Sequence, residues 1–241
     1  MTDGRGYSVS AATTRPVDES ACTTNEHHRQ GWVRSQWRTV RSLHPLQWLL
    51  FAAGTALIAI GIGAGVLSSG MGAGPAEALF AGAAGMTPVT VGTWAIIISV
   101  GLMVFNRLMG QPVLIGTIFF VVGFGVLVDV AMFFAPSIAT VPGQAAQWLI
   151  GAVLLAIGAG LTIASGVGAS AYDTATVAIA SRIGGRLGVA RVILDGVALV
   201  FAFVLGGPIA VGTVGLMVVF PLVMPLVVRV IRSRLPESAP Q

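Results

Sequence analysis

The chain has 241 residues, of which 55% are hydrophobic and 9% charged, against about 25% charged in ordinary soluble domains. A water-soluble fold of this length could not hide that much apolar surface, whereas a bilayer accepts it. The net charge of +4 is carried by arginine alone, and the arginines flank apolar stretches as membrane-orientation signals do, which excludes a nucleic-acid reading. With one cysteine, Cys22, there is no internal disulfide and no cysteine metal site.

Residues 1–44 are polar, rich in Ser, Thr, Asp and Arg, and lack the basic-then-apolar layout of a signal peptide. They read as a flexible, arginine-containing cytoplasmic tail. Its last part, Trp32 to Leu43, reads either as an interfacial helix on an anionic membrane surface or as a flexible arm of topology signals. Six apolar stretches long enough to cross a bilayer follow: Leu46–Ser68, Val89–Leu108, Val113–Ala135, Trp148–Ala164, Leu187–Leu205 and Val211–Val228. Between them lie two shorter pieces, Pro75–Met86 and Ala171–Ile183. About 12 helical residues reach roughly 18 Å, too short for a comfortable span. Trp48, Trp94 and Trp148 fall near span ends and read as interface anchors.

An internal repeat organises these pieces. Ser69-Gly70-Met71-Gly72-Ala73 matches Ser165-Gly166-Val167-Gly168-Ala169, an offset of 165 − 69 = 96. The same offset carries Glu77 onto Asp173, Gly92 onto Gly188, Gly110-Gln111-Pro112 onto Gly206-Gly207-Pro208, and Gly116-Thr117 onto Gly212-Thr213. The expectation is an all-α polytopic membrane protein of two three-span repeats, each with a short re-entrant helix. Repeat 1 is placed at 45–135, a linker at 136–147, repeat 2 at 148–233 and a cytoplasmic tail at 234–241.

Span parity decides orientation. If the short pieces cross the membrane the repeats are parallel; if they re-enter, the repeats are inverted. Arg107 is charged where its partner turn at Gly206 is not, and Arg182, Arg186 and Arg191 follow the second short piece where none follows the first. Opposite bias in matched loops favours inverted repeats with both termini cytoplasmic.

Chemistry concentrates where the short pieces begin. Gly74-Pro75-Ala76-Glu77 reads as cap, proline at the first helical position and acid at the third; Ser170-Ala171-Tyr172-Asp173 reads as a capping box. Glu77 and Asp173 either satisfy orphan amides at helix starts or meet near the midplane, where transporters with broken helices place their sites. Two carboxylates there favour a proton or a cationic group over an anion. Asp195 has Arg191 four residues earlier on the same helical face, and a structural pair accounts for both. Asp129, nearer a span end, has no evident partner. Gly61 and Gly65, or Gly184 and Gly188, have the spacing of close helix packing, within the chain or in a dimer. No phosphate loop, nucleophile elbow or paired-histidine metal motif is present in the sequence, so an enzyme is not expected, nor a cofactor.

Gly72-Ala73-Gly74-Pro75 followed by Glu77, the Gly92-Thr93 pair, and Gly110-Gln111-Pro112 leading to Gly116-Thr117 resemble the YczE/YyaS/YitT-type bacterial membrane proteins, from Leu46 to Arg232. Where that family often shows Pro-Trp-Asp, this chain has Pro75-Ala76-Glu77, and its second copy has Ala171-Tyr172-Asp173. The resemblance implies a multi-pass protein of the bacterial inner membrane and supplies no substrate. Two functions remain open at this point. One is a small secondary transporter or permease whose site is built from Glu77, Asp173, Asp195, Gly74, Ser170 and Tyr172, taking an unknown small molecule or ion. The other is a membrane scaffold or regulator in which the same acids only cap helices. The expected partners are the lipid bilayer and that small molecule or ion, not nucleic acid, with a homo-oligomer left open.

Overall fold

A computed structural model describes residues 45–112 and 114–232, leaving aside the side chains at 221 and 225. The two tails and the expected interfacial segment lie outside the described residues. Helix α1 (Pro45–Ile60) continues without a break into a π-helical segment, Gly61–Leu67, as one apolar span. Glycines at 61, 63 and 65 remove the side chains that would crowd a wider turn, and the carbonyls that the π pattern displaces find other donors. Ser68 donates to the Gly63 carbonyl at 2.6 Å and Gln147 to that of Ala64 at 2.7 Å. A glycine-rich loop leads to the short helix α2 (Pro75–Met86), then α3 (Val91–Leu108) and α4 (Ile115–Phe133). The second half follows with α5 (Val141–Ser165), the short α6 (Ala171–Arg182), α7 (Leu187–Val204) and α8 (Val211–Arg232).

Six of these helices, counting α1 with its π segment as one, are long and apolar enough to cross a membrane. Their outer faces carry exposed large apolar side chains such as Leu49, Val104, Phe119, Phe133, Val192 and Phe203. Surfaces of that kind belong in lipid. The protein is an all-α, multi-pass membrane protein.

Elements of the second half begin where those of the first do, displaced by 96 residues: 45 and 141, 75 and 171, 91 and 187, 115 and 211. Local hydrogen bonds follow the same displacement. Ser69 donates to the Val66 carbonyl at 2.7 Å, and Ser165 to that of Thr162 at 2.6 Å. Gly70 and Gly166 each turn the chain with positive φ, +71° and +69°. Helix α5 starts seven residues before the expected Trp148, so most of the anticipated linker 136–147 is helical. Pro142 in its first turn presets a helical φ, and Ala145 and Ala146 favour continuation.

The centre of the fold is the contact of α1 with α5, and it is made of glycine. A methyl group on Gly54 would lie 2.8 Å from the Gly158 carbonyl oxygen, and one on Gly158 2.6 Å from that of Gly54. Gly61 and Gly151 exclude side chains from one another in the same way, at 2.6 Å each, and Gly65 also packs on Gly151. As numbering rises along α1 it falls along α5, so the two helices run antiparallel. Gly61 and Gly65 therefore serve internal packing, whereas a Cβ on Gly184 or Gly188 would meet nothing within 4 Å.

Around this seam α4 packs on α1 and α8 on α5, while each short helix crosses to the other half, α2 against α7 and α6 against α3. The loops entering the short helices are held the same way. Ala73 N–H donates to the Pro208 carbonyl at 2.9 Å and Gly212 N–H to that of Met71 at 2.8 Å. Thr117 Oγ1 donates to the Ala169 carbonyl at 3.0 Å, and Asn106 Nδ2 to that of Ala171 at 2.9 Å. Trp148, read from sequence as an interface anchor, is part of this clamp: its indole N–H donates to the Gly72 carbonyl at 3.0 Å, and its ring lies over Gly212 and Gly215.

A valine at Gly151 has no room in the α1–α5 seam and is expected to destabilise the protein by about 1–3 kcal/mol, the usual cost of overpacking. Gly101, where a Cβ meets nothing within 4 Å, is the matched control, and Gly101→Ala should leave thermal unfolding in detergent unchanged or raise it. Equal melting temperatures for Gly151→Val and the parent would remove the seam as the fold's core.

Candidate functional site

The starts of the two short helices differ in how they are finished. At α6, Ser170 Oγ accepts from the Asp173 amide at 3.0 Å, the N-cap bond expected, and its hydroxyl donates to Asp173 Oδ2 at 2.8 Å. That second bond takes the place of the reciprocal half of a capping box. At α2, Gly74 is the N-cap and has no side chain to offer, and Pro75 holds the first helical position. The Glu77 carboxylate folds back onto its own backbone N–H and lies against the bare Cα of Gly74, where a side chain would collide with it. No side chain among the described residues forms a hydrogen bond or ion pair with it.

A polar cluster joins α6 to α7. Arg191 Nη1 lies 2.9 Å from Asp173 Oδ1, and Arg191 Nε lies 3.3 Å from Asp195 Oδ2. Tyr172 donates its hydroxyl to Asp195 Oδ1 at 2.7 Å. The guanidinium carbon sits 4.8 Å from the centre of the Tyr172 ring and 5.9 Å from that of Phe220. The pair expected from spacing is present and is half of the arrangement, since Arg191 also reaches Asp173, eighteen residues away on another helix. This arginine lines the cavity with the acids it pairs, whereas Arg182, at the end of α6, and Arg186 are exposed.

These groups face one cavity of about 410 Å³. Glu77 enters its wall from α2, Ser170, Tyr172 and Asp173 from the start of α6, and Arg191 and Asp195 from α7. Phe80, Phe120, Phe124 and Phe220 line the rest together with aliphatic side chains of α1, α5 and α8. Of the six expected site residues five reach the cavity; Gly74 lies behind Glu77 and gives its carboxylate room. Three carboxyl groups thus share an apolar, aromatic chamber with one guanidinium.

A family profile described as a family of unknown function, DUF6198, matches residues 42–228. The chain belongs to the DUF6198 family. It is 28% identical over 170 residues to the uncharacterized membrane protein YczE of Bacillus subtilis (strain 168), covering 70% of this chain and 79% of that protein. It is 26% identical over 174 residues to the uncharacterized protein YyaS of the same strain, covering 70% and 85%. No solved structure matches the chain.

The expected resemblance to YczE and YyaS is therefore correct. In this DUF6198 chain Asp129 also finds a partner that spacing did not reveal. From α4 it accepts from the Thr90 hydroxyl at 2.6 Å and from the Gly92 amide at 2.7 Å, so it caps the first turn of α3 and is not part of the cavity wall. Sequence reasoning missed the aromatic lining, because Phe80, Phe120, Phe124 and Phe220 are indistinguishable from other apolar residues in lipid-soluble helices. It missed the bond from Arg191 to Asp173 because no periodicity connects residues on different helices.

Replacing Ser170 by Ala removes both the N-cap acceptor and the hydroxyl that holds Asp173. A loss of about 1 kcal/mol is expected, in the ordinary range for an N-cap. The melting temperature in detergent reads it, and an unchanged value would mean that the start of α6 is held by Asn106 and Arg191 without the serine.

Proposed function

We propose that the protein is a small secondary transporter of the bacterial inner membrane whose central cavity takes an organic cation with an apolar body. The observation that carries this reading is the make-up of the chamber: three carboxyl groups, Glu77, Asp173 and Asp195, against the one guanidinium of Arg191, within aromatic walls. Ionisable groups at membrane depth are costly and mark pathways by default. Carboxylates with ring faces beside them attract a cation by Coulomb and quadrupole terms together. Two helix N-termini aimed at one cavity would favour an anion, but here each first turn already carries an acid.

The architecture supports the reading. The 96-residue displacement of helix starts and the antiparallel run of α1 and α5 fit two units related by inversion in the membrane, with α2 and α6 entering and stopping short. Sites at the junction of such units, formed by broken helices, are the usual place for a transported solute. The exposed arginines at 182 and 186 and Arg107 at the end of α3 support a topology with both termini in the cytoplasm.

The scaffold reading has one observation in its favour. Asp173 is saturated by Ser170 and Arg191, as a purely structural acid would be. Glu77 separates the two, since it has a cavity in front of it and no partner to hold.

Orientation is tested with single cysteines at Met86 and Arg182, the exposed ends of the two short helices, in a chain whose Cys22 is replaced by serine. Membrane-impermeant maleimide is expected to reach them from opposite sides; labelling of both from one side would rule out inversion. For the site, purified protein is expected to bind tetraphenylphosphonium saturably, and Glu77→Gln to weaken that binding at least about tenfold, or on the order of 1.4 kcal/mol. A folded parent that binds no organic cation would leave the scaffold.

A further inference from the structure

The geometry points to the acid pair of α6 and α7 as a receptor for a flat, delocalised cation, a guanidinium or amidinium group, which Arg191 occupies in the empty protein and which the substrate's own head group takes over. This rests on the transport reading above and names the chemistry of its substrate.

The receptor stands without its occupant. Each acid uses one oxygen for Arg191 and has the other fixed by a hydroxyl that does not depend on the arginine: Ser170 Oγ holds Asp173 Oδ2 at 2.8 Å, and Tyr172 Oη holds Asp195 Oδ1 at 2.7 Å. Withdrawing Arg191 therefore leaves two carboxylate oxygens aimed at the same space. Beside that space lie the rings of Tyr172 and Phe220, 4.8 and 5.9 Å from the guanidinium carbon. Two acceptors flanked by aromatic faces suit a planar cation with in-plane N–H donors, and suit a compact ammonium less well.

The occupant is free to leave. Arg191 is tethered by a long, flexible stem, and its side chain keeps 36% of its surface exposed, toward the cavity whose wall it forms. Long helical side chains lie back over the preceding turn. There Gly188 also lines the cavity, and nothing stands within 4 Å of where its Cβ would be. A displaced guanidinium has somewhere to go. Glu77 shares the cavity, forms no hydrogen bond or ion pair with another side chain among the described residues, feels the charge of Arg191, and supplies the acceptor that a second cation requires. With substrate bound, the head group takes Asp173 and Asp195 and Arg191 takes Glu77, so that every carboxyl in the chamber is paired. In the empty protein Glu77 alone is left over. No covalent step is involved; the two ion pairs that Arg191 makes in the empty protein become three.

An arginine that merely pins α6 to α7 predicts the opposite response to its removal, so affinity decides. Calorimetric titration of purified parent, Arg191→Gln and Arg191→Lys with benzylguanidinium is expected to give binding at least about tenfold tighter in Arg191→Gln, the competitor being gone, with Arg191→Lys between. A folded Arg191→Gln protein with equal or weaker affinity overturns the inference. If neither variant folds, the parent decides through its arginine Nε–H resonances: saturating benzylguanidinium is expected to shift the one that bonds Asp195, and a spectrum without any arginine shift overturns the proposal. Tetraphenylphosphonium keeps the two readings apart. Parent protein that binds it while benzylguanidinium leaves Arg191 in place loses only the exchange; parent protein that binds neither loses the transport reading with it.

Discussion

A helix that begins at membrane depth must find partners for its first amides and for the loop that leads into it, because hydrocarbon offers none. Two helices of this protein, α2 and α6, are too short to cross a bilayer, and the loops that lead into them are held by hydrogen bonds from the opposite half. The loop before α2 is bonded to residues 208 and 212, at the entrance to α8, and the loop before α6 to Thr117 and Asn106 of the first half. Each half supplies the polar groups that the other's broken helix lacks. Removing either would leave backbone groups of the other's loop unpaired, at several kcal/mol for each one buried away from water. Mutual dependence of this sort accounts for a bundle of long helices holding together although lipid gives apolar helices no hydrophobic reason to associate.

Such an exchange requires the halves to approach closely, and the glycines of α1 and α5 permit it. With Gly54, Gly61 and Gly65 set against Gly151 and Gly158, backbone meets backbone, and dispersion and close carbonyl contacts replace side-chain interdigitation. The π-helical stretch is part of the same solution. Widening α1 at Gly61–Leu67 frees carbonyls, and Gln147 of α5 reaches across the seam to one of them. Its own carbonyl oxygen is buried without a hydrogen-bond partner among the described residues, while its Nε2 donates to the carbonyls of both Ala64 and Pro136.

Much of the frame was legible in the sequence because its signals are local. Apolar length marked the six spans, glycine and proline marked the breaks between them, and one offset tied the halves together. The short helices begin at Pro75 and Ala171, where composition placed them. The early start of α5 escaped because Val141-Pro142-Gly143-Gln144 reads as a loop until Pro142 is seen occupying a first turn. At the site, the acids stood out because ionisable residues are rare in such a chain, and Ser170 stood out as a cap. What joins them did not. The bond from Arg191 to Asp173 and that from Tyr172 to Asp195 span 18 and 23 residues between different helices. Contacts of this kind are created by packing, and a pattern along one helix carries no trace of them.

The same 96-residue displacement shows where the two halves part company, and the departures fall on the cavity. Phe124 and Phe220 correspond and both line it, as do Glu77 and Asp173. The counterparts of Tyr172, Arg191 and Asp195 are Ala76, Ala95 and Ser99. One half therefore contributes an acid with an arginine, a tyrosine and a second acid around it, and the other an acid standing alone. The helix starts recur at this displacement while these three cavity residues do not. In a chamber with equal ends, a small cation would have two equivalent seats and no preferred direction. Here the ends are unequal: one holds a preformed ion-pair network whose members fix each other's rotamers, and the other holds an unpaired carboxyl beside a bare glycine. On the transport reading proposed above, a ligand with a charged head and an apolar body would meet the two ends differently and be oriented by them.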